Sequence, residues 1–147
     1  MESQDFTTSI TVEQSQEEVF NAINNVRGWW SQNIEGLTDR RNSEFRVNFH
    51  THWWAFRITE SVPFEKIEWL VTGSYMPWNK VKEEWTGTKV CFDIAREGDM
   101  SRITFTHLGL DPSFDCFEGC SKGWTGYIHQ SLQPFIVTGI GTPDVAY

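Results

Sequence analysis

Five runs of alternating apolar and polar residues, followed by one long stretch with helical spacing, constrain this chain more than any other feature. Phe45, Val47 and Phe49 alternate with Glu44, Arg46 and Asn48; Trp54, Phe56 and Ile58 repeat the pattern, as do Ile67, Trp69 and Val71, then Val90, Phe92 and Ile94, then Ile103 and Phe105. A period of two puts each apolar set on one side of a half-buried antiparallel strand. The β-branched segment 6–12 predicts one more strand at the start. Near residue 116 the period changes. Phe117, Cys120, Trp124, Tyr127, Ile128, Ser131 and Phe135 fall on one stripe at about 100° per residue. Some 22 residues rising about 1.5 Å each span roughly 33 Å, the width of a small domain. A curved sheet gripping one long helix, with space between them, is the architecture these two periods predict.

The punctuation agrees with this reading. Ser15 and Glu18 form a capping box ahead of the apolar face Val19, Phe20, Ile23 and Val26, and Gly28 is expected to end that helix. Trp29-Trp30-Ser31 is expected to open a short second helical turn. Pro63 separates two strand runs, and Glu97-Gly98-Asp99 makes a hairpin turn. On the long helix, Asp115 and Glu118 suggest a second capping box, Gly139 suits a left-handed C′ position, and Pro134 predicts a kink. Gly119, Gly123 and Gly126 cost up to about 1 kcal/mol each relative to alanine. The angular arithmetic puts them away from the aromatic stripe, as a tolerated cost or as a close-approach face for a second copy of the chain. Residues 73–87 are long for a hairpin connection, either a binding loop or an ordinary exposed excursion.

At 147 residues the chain predicts a single domain over 1–147. Its formal charge is −8 and its twelve basic residues are scattered, so it lacks the clustered cations that nucleic acid or an anionic membrane surface requires. No apolar run suggests a signal peptide or a membrane span. Three cysteines without framework spacing predict free thiols and a cytoplasmic setting. Eight tryptophans and eleven phenylalanines exceed what a small core requires, and part of that excess can wall a cavity.

Several segments together carry a family resemblance. Val19-Phe20-Asn21-Ala22-Ile23, Gly28-Trp29-Trp30, Glu84-Trp85-Thr86-Gly87-Thr88, Thr106-His107-Leu108-Gly109-Leu110 and the stretch from Gly123-Trp124 to Thr138-Gly139 run across nearly the whole chain. In this order they resemble the START-like (SRPBCC) superfamily and, more narrowly, the Activator of Hsp90 ATPase homologue 1-like (AHSA1-like) family. The resemblance implies an α+β helix-grip (START/Bet v 1-like) fold: a bent antiparallel sheet around a long C-terminal helix, with two short helices near the N-terminus. It implies a cavity between sheet and helix of the kind that holds lipids, hormones or polyketides in similar proteins, some of which are aromatases or cyclases. An Hsp90-type chaperone is implied as a partner only by the family's name, because nothing here corresponds to the separate N-terminal domain on which that activity depends.

The candidate lining of the cavity is Trp30, Trp54, Phe56, Trp69, Phe92, Phe105, His107, Trp124, Tyr127 and Ile128. His107 continues the face of Ile103 and Phe105; it could serve a ligand or act as acid–base, or be satisfied by backbone where the last strand turns. His50-x-His52 has metal-ligand spacing but no evident third ligand, so no metal or other cofactor is expected. Cys116, near the predicted helix start, is the thiol most open to activation. No phosphate loop, nucleophile elbow or Ser/His/Asp arrangement can be assembled. The expected function is non-catalytic binding of a small apolar or amphipathic molecule. The alternatives are a cyclase- or dehydratase-like enzyme using His107 or Tyr127, and a chaperone-related or self-associating interaction protein, including a homodimer.

Overall fold

The structure is a computed structural model and describes residues 4–144. In chain order the elements are β1 (Phe6–Val12), α1 (Gln16–Asn24), α2 (Val26–Trp29), β2 (Ile34–Gly36), β3 (Glu44–Asn48), β4 (Trp53–Val62), β5 (Lys66–Tyr75), β6 (Lys89–Glu97), β7 (Met100–Leu108), α3 (Phe117–Tyr127), a π-helical turn (Ile128–Leu132) and α4 (Gln133–Thr138). The strands form one antiparallel sheet in the order β1-β7-β6-β5-β4-β3-β2. Each alternating run became a strand whose apolar set is buried, except that Phe49 lies just past the end of β3 and is half-buried. Register then stacks like against like: Phe92 opposes Phe105, Ile94 opposes Ile103, and Phe45 opposes Phe56. Two register shifts in β4, at Ala55/Phe56 and Ile58/Glu60, locally increase its bend and twist. The last helix crosses the face formed by the buried residues, so the fold is the helix-grip arrangement that the two periods predicted. Among the described residues no helix is long and apolar enough to cross a membrane.

Several local expectations are corrected. The first helix stops at Asn24, and Gly28 lies inside the short α2 rather than ending α1. Its lack of a side chain has a packing cause: a Cβ there would sit 2.4 Å from Cζ of Phe135 on α4. Ser15 caps α1 as expected, accepting the Glu18 amide at 3.1 Å. Strand β2, too short to show a period, was missed.

The long helix is interrupted rather than simply kinked. Pro134 has no amide to give the Gln130 carbonyl, which instead accepts Thr142 Oγ1 at 3.3 Å. The helix widens into the π turn just before that point. Gly139 closes α4 at φ +83°, its amide bonded to the Phe135 carbonyl at 2.9 Å. Beyond it the chain folds back, and Asp144 forms a parallel bridge with Ser31.

Candidate ligand cavity

The connection expected at 73–87 is shifted, because β5 runs on to Tyr75 and leaves a loop over 76–88. Between the start of α3, this loop and the β3–β4 end of the sheet lies a cavity of about 570 Å³, within the usual range for small-molecule sites. Its wall is mostly rings: Trp30, Phe49, His52, Trp54, Trp78, Trp85, Trp124 and Tyr127. Trp54 stacks on Trp85 at 4.6 Å, Trp85 on Trp124 at 5.7 Å, and Trp124 meets Trp30 at 4.9 Å, so the wall is one continuous aromatic surface. His52 stacks on Phe49 and meets Trp78 edge-on, each at 4.6 Å. Burial lowers the His52 pKa, against the opposing pull of the Asp144 charge.

Of the ten residues expected to line the space, Trp30, Trp54, Trp124 and Tyr127 do so. The structure places Phe56, Trp69, Phe92, Phe105, His107 and Ile128 in the packed core beneath the wall, each with no exposed surface. Strand periodicity could not separate the two groups, because it marks the face and not the depth.

His107 shows what the deeper layer does. The Trp124 indole N–H donates to His107 Nδ1 at 3.0 Å, so Nδ1 carries no proton. Nε2 therefore holds the proton and donates it to Thr88 Oγ1 at 2.8 Å, and Thr88 donates in turn to the Trp85 carbonyl. Burial pushes the His107 pKa down to about 3. The expected backbone partner is replaced by two side chains. Both nitrogens are committed, so the ring holds two cavity tryptophans in place rather than facing the cavity as an acid–base. Gly109 makes this possible: at φ +100° it turns the chain, and a Cβ there would lie 2.8 Å from Thr88 Cγ2.

The residues that sequence reasoning missed come from the start of α3, from the loop 76–88, from Phe49 and His52 beside β4, and from the C-terminal tail. The loop supplies Trp78, Asn79 and Trp85 to the wall and is fastened to the helix start. Glu84 accepts the backbone amides of Asp115 at 3.0 Å and Cys116 at 3.2 Å, together with the Asn79 amide group at 3.0 Å. The expected Asp115/Glu118 capping box is thus replaced by a carboxylate from a distant loop, which still meets the positive helix end. Asp115 instead accepts the Lys80 amide at 2.9 Å. Asp144 reaches the wall because its backbone is pinned to Trp30 and Gln32, and its Oδ2 accepts the Tyr127 hydroxyl at 2.8 Å. No local pattern announces a tail residue that returns to an early bridge.

The glycines also lie differently from expectation. Gly119 and Gly123 border the cavity, and a Cβ at either would meet no atom within 4 Å. They flank the aromatic stripe rather than opposing it, sharing the cavity wall with Cys120, Trp124 and Tyr127. Gly126 borders a separate shallow depression with Gln130 and Thr142.

The thiols reverse the sequence ranking. Hydrogen bonding with Cys120 and then burial raise the Cys116 pKa, while the same hydrogen bond, with Cys116 as donor, lowers that of Cys120. Burial also pushes Cys91 up to about 12. Limiting iodoacetamide at neutral pH should therefore label Cys120 first, as read by peptide mass spectrometry. Earlier labelling of Cys116 or Cys91 would contradict this assignment.

The indole nitrogens of Trp30, Trp54 and Trp69 are buried without a hydrogen-bond partner. They have essentially no accessible surface, so none can serve a ligand unless the wall rearranges.

No family model and no curated protein matches the chain. Solved structures do. The Aha1 dimer from Colwellia psychrerythraea superposes with a TM-score of 0.77 at 21% identity, covering 93% of this chain and 98% of that one. DynU16, a protein of the dynemicin biosynthetic locus, gives 0.72 at 15% identity over 99% of this chain but only 52% of its own length. CalU16 from Micromonospora echinospora gives 0.63 at 13% identity, covering 90% of this chain and 74% of that one. At these identities the likeness shows the helix-grip fold.

Proposed function

We propose that this chain is a ligand-binding protein of the Activator of Hsp90 ATPase homologue 1-like family, holding a small apolar or amphipathic molecule against α3 without transforming it. The observation that carries this reading is the cavity beside Gly119 and Gly123. The helix gives up about 1 kcal/mol of propensity at each glycine, and neither position is crowded by a neighbour. What the missing side chains leave is open volume next to a wall of rings. Native mass spectrometry of protein from its own cells tests the reading directly, by a co-purified small molecule.

Gly123→Leu offers a test with two opposite signs. It should raise thermal stability, because leucine favours helix and its Cβ would meet no neighbour within 4 Å. It should also weaken binding of the neutral dye Nile red about tenfold or more, because the side chain fills the cavity. Unchanged dye affinity with raised stability would show that the space is not a binding site.

A second reading, a cyclase- or dehydratase-like enzyme, is favoured by the Tyr127–Asp144 hydrogen bond at the cavity wall. In that case Tyr127 is the acid–base, His107 being committed on both nitrogens. Tyr127→Phe would then abolish turnover, whereas in a binder it would change affinity only.

A further inference from the structure

Resting on the ligand-binding reading, we infer that the cavity selects an organic cation: a compact apolar or aromatic body carrying a protonated or quaternary amine. Among the described residues the wall contains two acidic side chains, Asp115 and Asp144, and no lysine or arginine. Its one imidazole, His52, is held toward the neutral form by burial. A carboxylate, phosphate or sulfate ligand would therefore enter a site of its own sign with nothing to pair it. The Asp144 charge acts on His52 within the same wall, so its field extends into the cavity.

The positive end of α3 is the one feature that could favour an anion, and it is already occupied. Glu84 takes the amides of Asp115 and Cys116 there. Most of the remaining wall is aromatic, the one kind of apolar surface that attracts a cation through its ring faces. The whole chain, at a formal charge of −8, adds a field of the same sign.

The test uses three probes with one naphthalene body: (2-naphthylmethyl)trimethylammonium, 2-naphthylmethanol and 2-naphthylacetate. Binding to the full chain is measured by calorimetry at low salt. The cation should bind about tenfold more tightly than the neutral alcohol, with the anion weakest. Asp144→Asn should bring the affinity for the cation down toward that for the alcohol; a cation preference that survives the substitution in full would overturn the role given to this carboxylate. An alcohol that binds as tightly as the cation would overturn the charge selection while leaving the ligand-binding reading standing. Failure of all three to bind would overturn both.

Discussion

Trp30→Ala should lower stability by about 3–5 kcal/mol, the usual cost of emptying a large aromatic site in a core. Trp30 is 1% exposed and touches six other rings: Trp29, Trp54, Phe56, Trp69, Trp124 and Tyr127, at centroid distances of 4.9 to 6.3 Å. It joins the core layer to the cavity wall, so neighbours on both sides lose contacts and few can collapse into the gap. One effect opposes this: the substitution also removes a buried, unpaired indole N–H, a burden of about 1–3 kcal/mol. The packing loss is larger, because it includes both the transfer of the ring and the residual cavity. Trp30→Phe separates the two contributions. It keeps an aromatic ring and drops the orphan donor, so it should cost about 1–2 kcal/mol at most. Urea midpoints of the three proteins check the order, and an alanine variant within about 1 kcal/mol of the parent would refute the central role given to this ring.

The second large effect is acid sensitivity centred on His107. An exposed histidine titrates near 6.5, and His107 in the fold is pushed down to about 3. Between those values the unfolded chain binds a proton that the folded chain refuses. Stability therefore rises with pH in this window and is lost as pH falls from about 6.5 toward 3. The contribution is fully present above the unfolded value. The slope approaches about 1.4 kcal/mol per pH unit, so roughly 2 kcal/mol should be gone by pH 5, where exposed carboxylates remain ionised. The depressed His52 pKa adds a loss of the same sign. Protonation would also set an Nδ1–H against the Trp124 N–H that it now accepts. His107→Gln cannot titrate, so its stability should vary less between pH 6.5 and 5, whatever its absolute level. Denaturation midpoints across that interval decide the matter: an unaltered slope in the variant would place the titrating group elsewhere.

The sequence was most legible where structure follows from short-range spacing. The alternating sets became the buried faces of β3 to β7, with Phe49 alone falling past its strand, and Ser15 and Gly139 stand at helix ends as their chemistry requires. The candidate site was half legible for the same reason. Trp54, Trp124 and Tyr127 were named from their faces and line the cavity together with Trp30, but six companions lie one layer deeper. Face is a property of period. Depth depends on where the helix meets the sheet, and no local spacing encodes that. Trp78 and Trp85 were visible as aromatics in an overlong loop, but their direction was set only when Glu84 fastened that loop to the start of α3.

By itself, the sequence determined which residues share a face, where α1 begins and α4 ends, and that the chain builds a curved sheet around one long C-terminal helical stretch. These follow from backbone periodicity and from the few residues that cap or break it. The tertiary structure alone decided that Glu84 caps a helix 31 residues away, that Asp144 returns to the cavity through its bridge to Ser31, that His107 is spent on Thr88 and Trp124, and that Gly119 and Gly123 open onto space. Each of these depends on contacts between segments far apart in the chain, and such contacts acquire a definite geometry only when the whole core has closed.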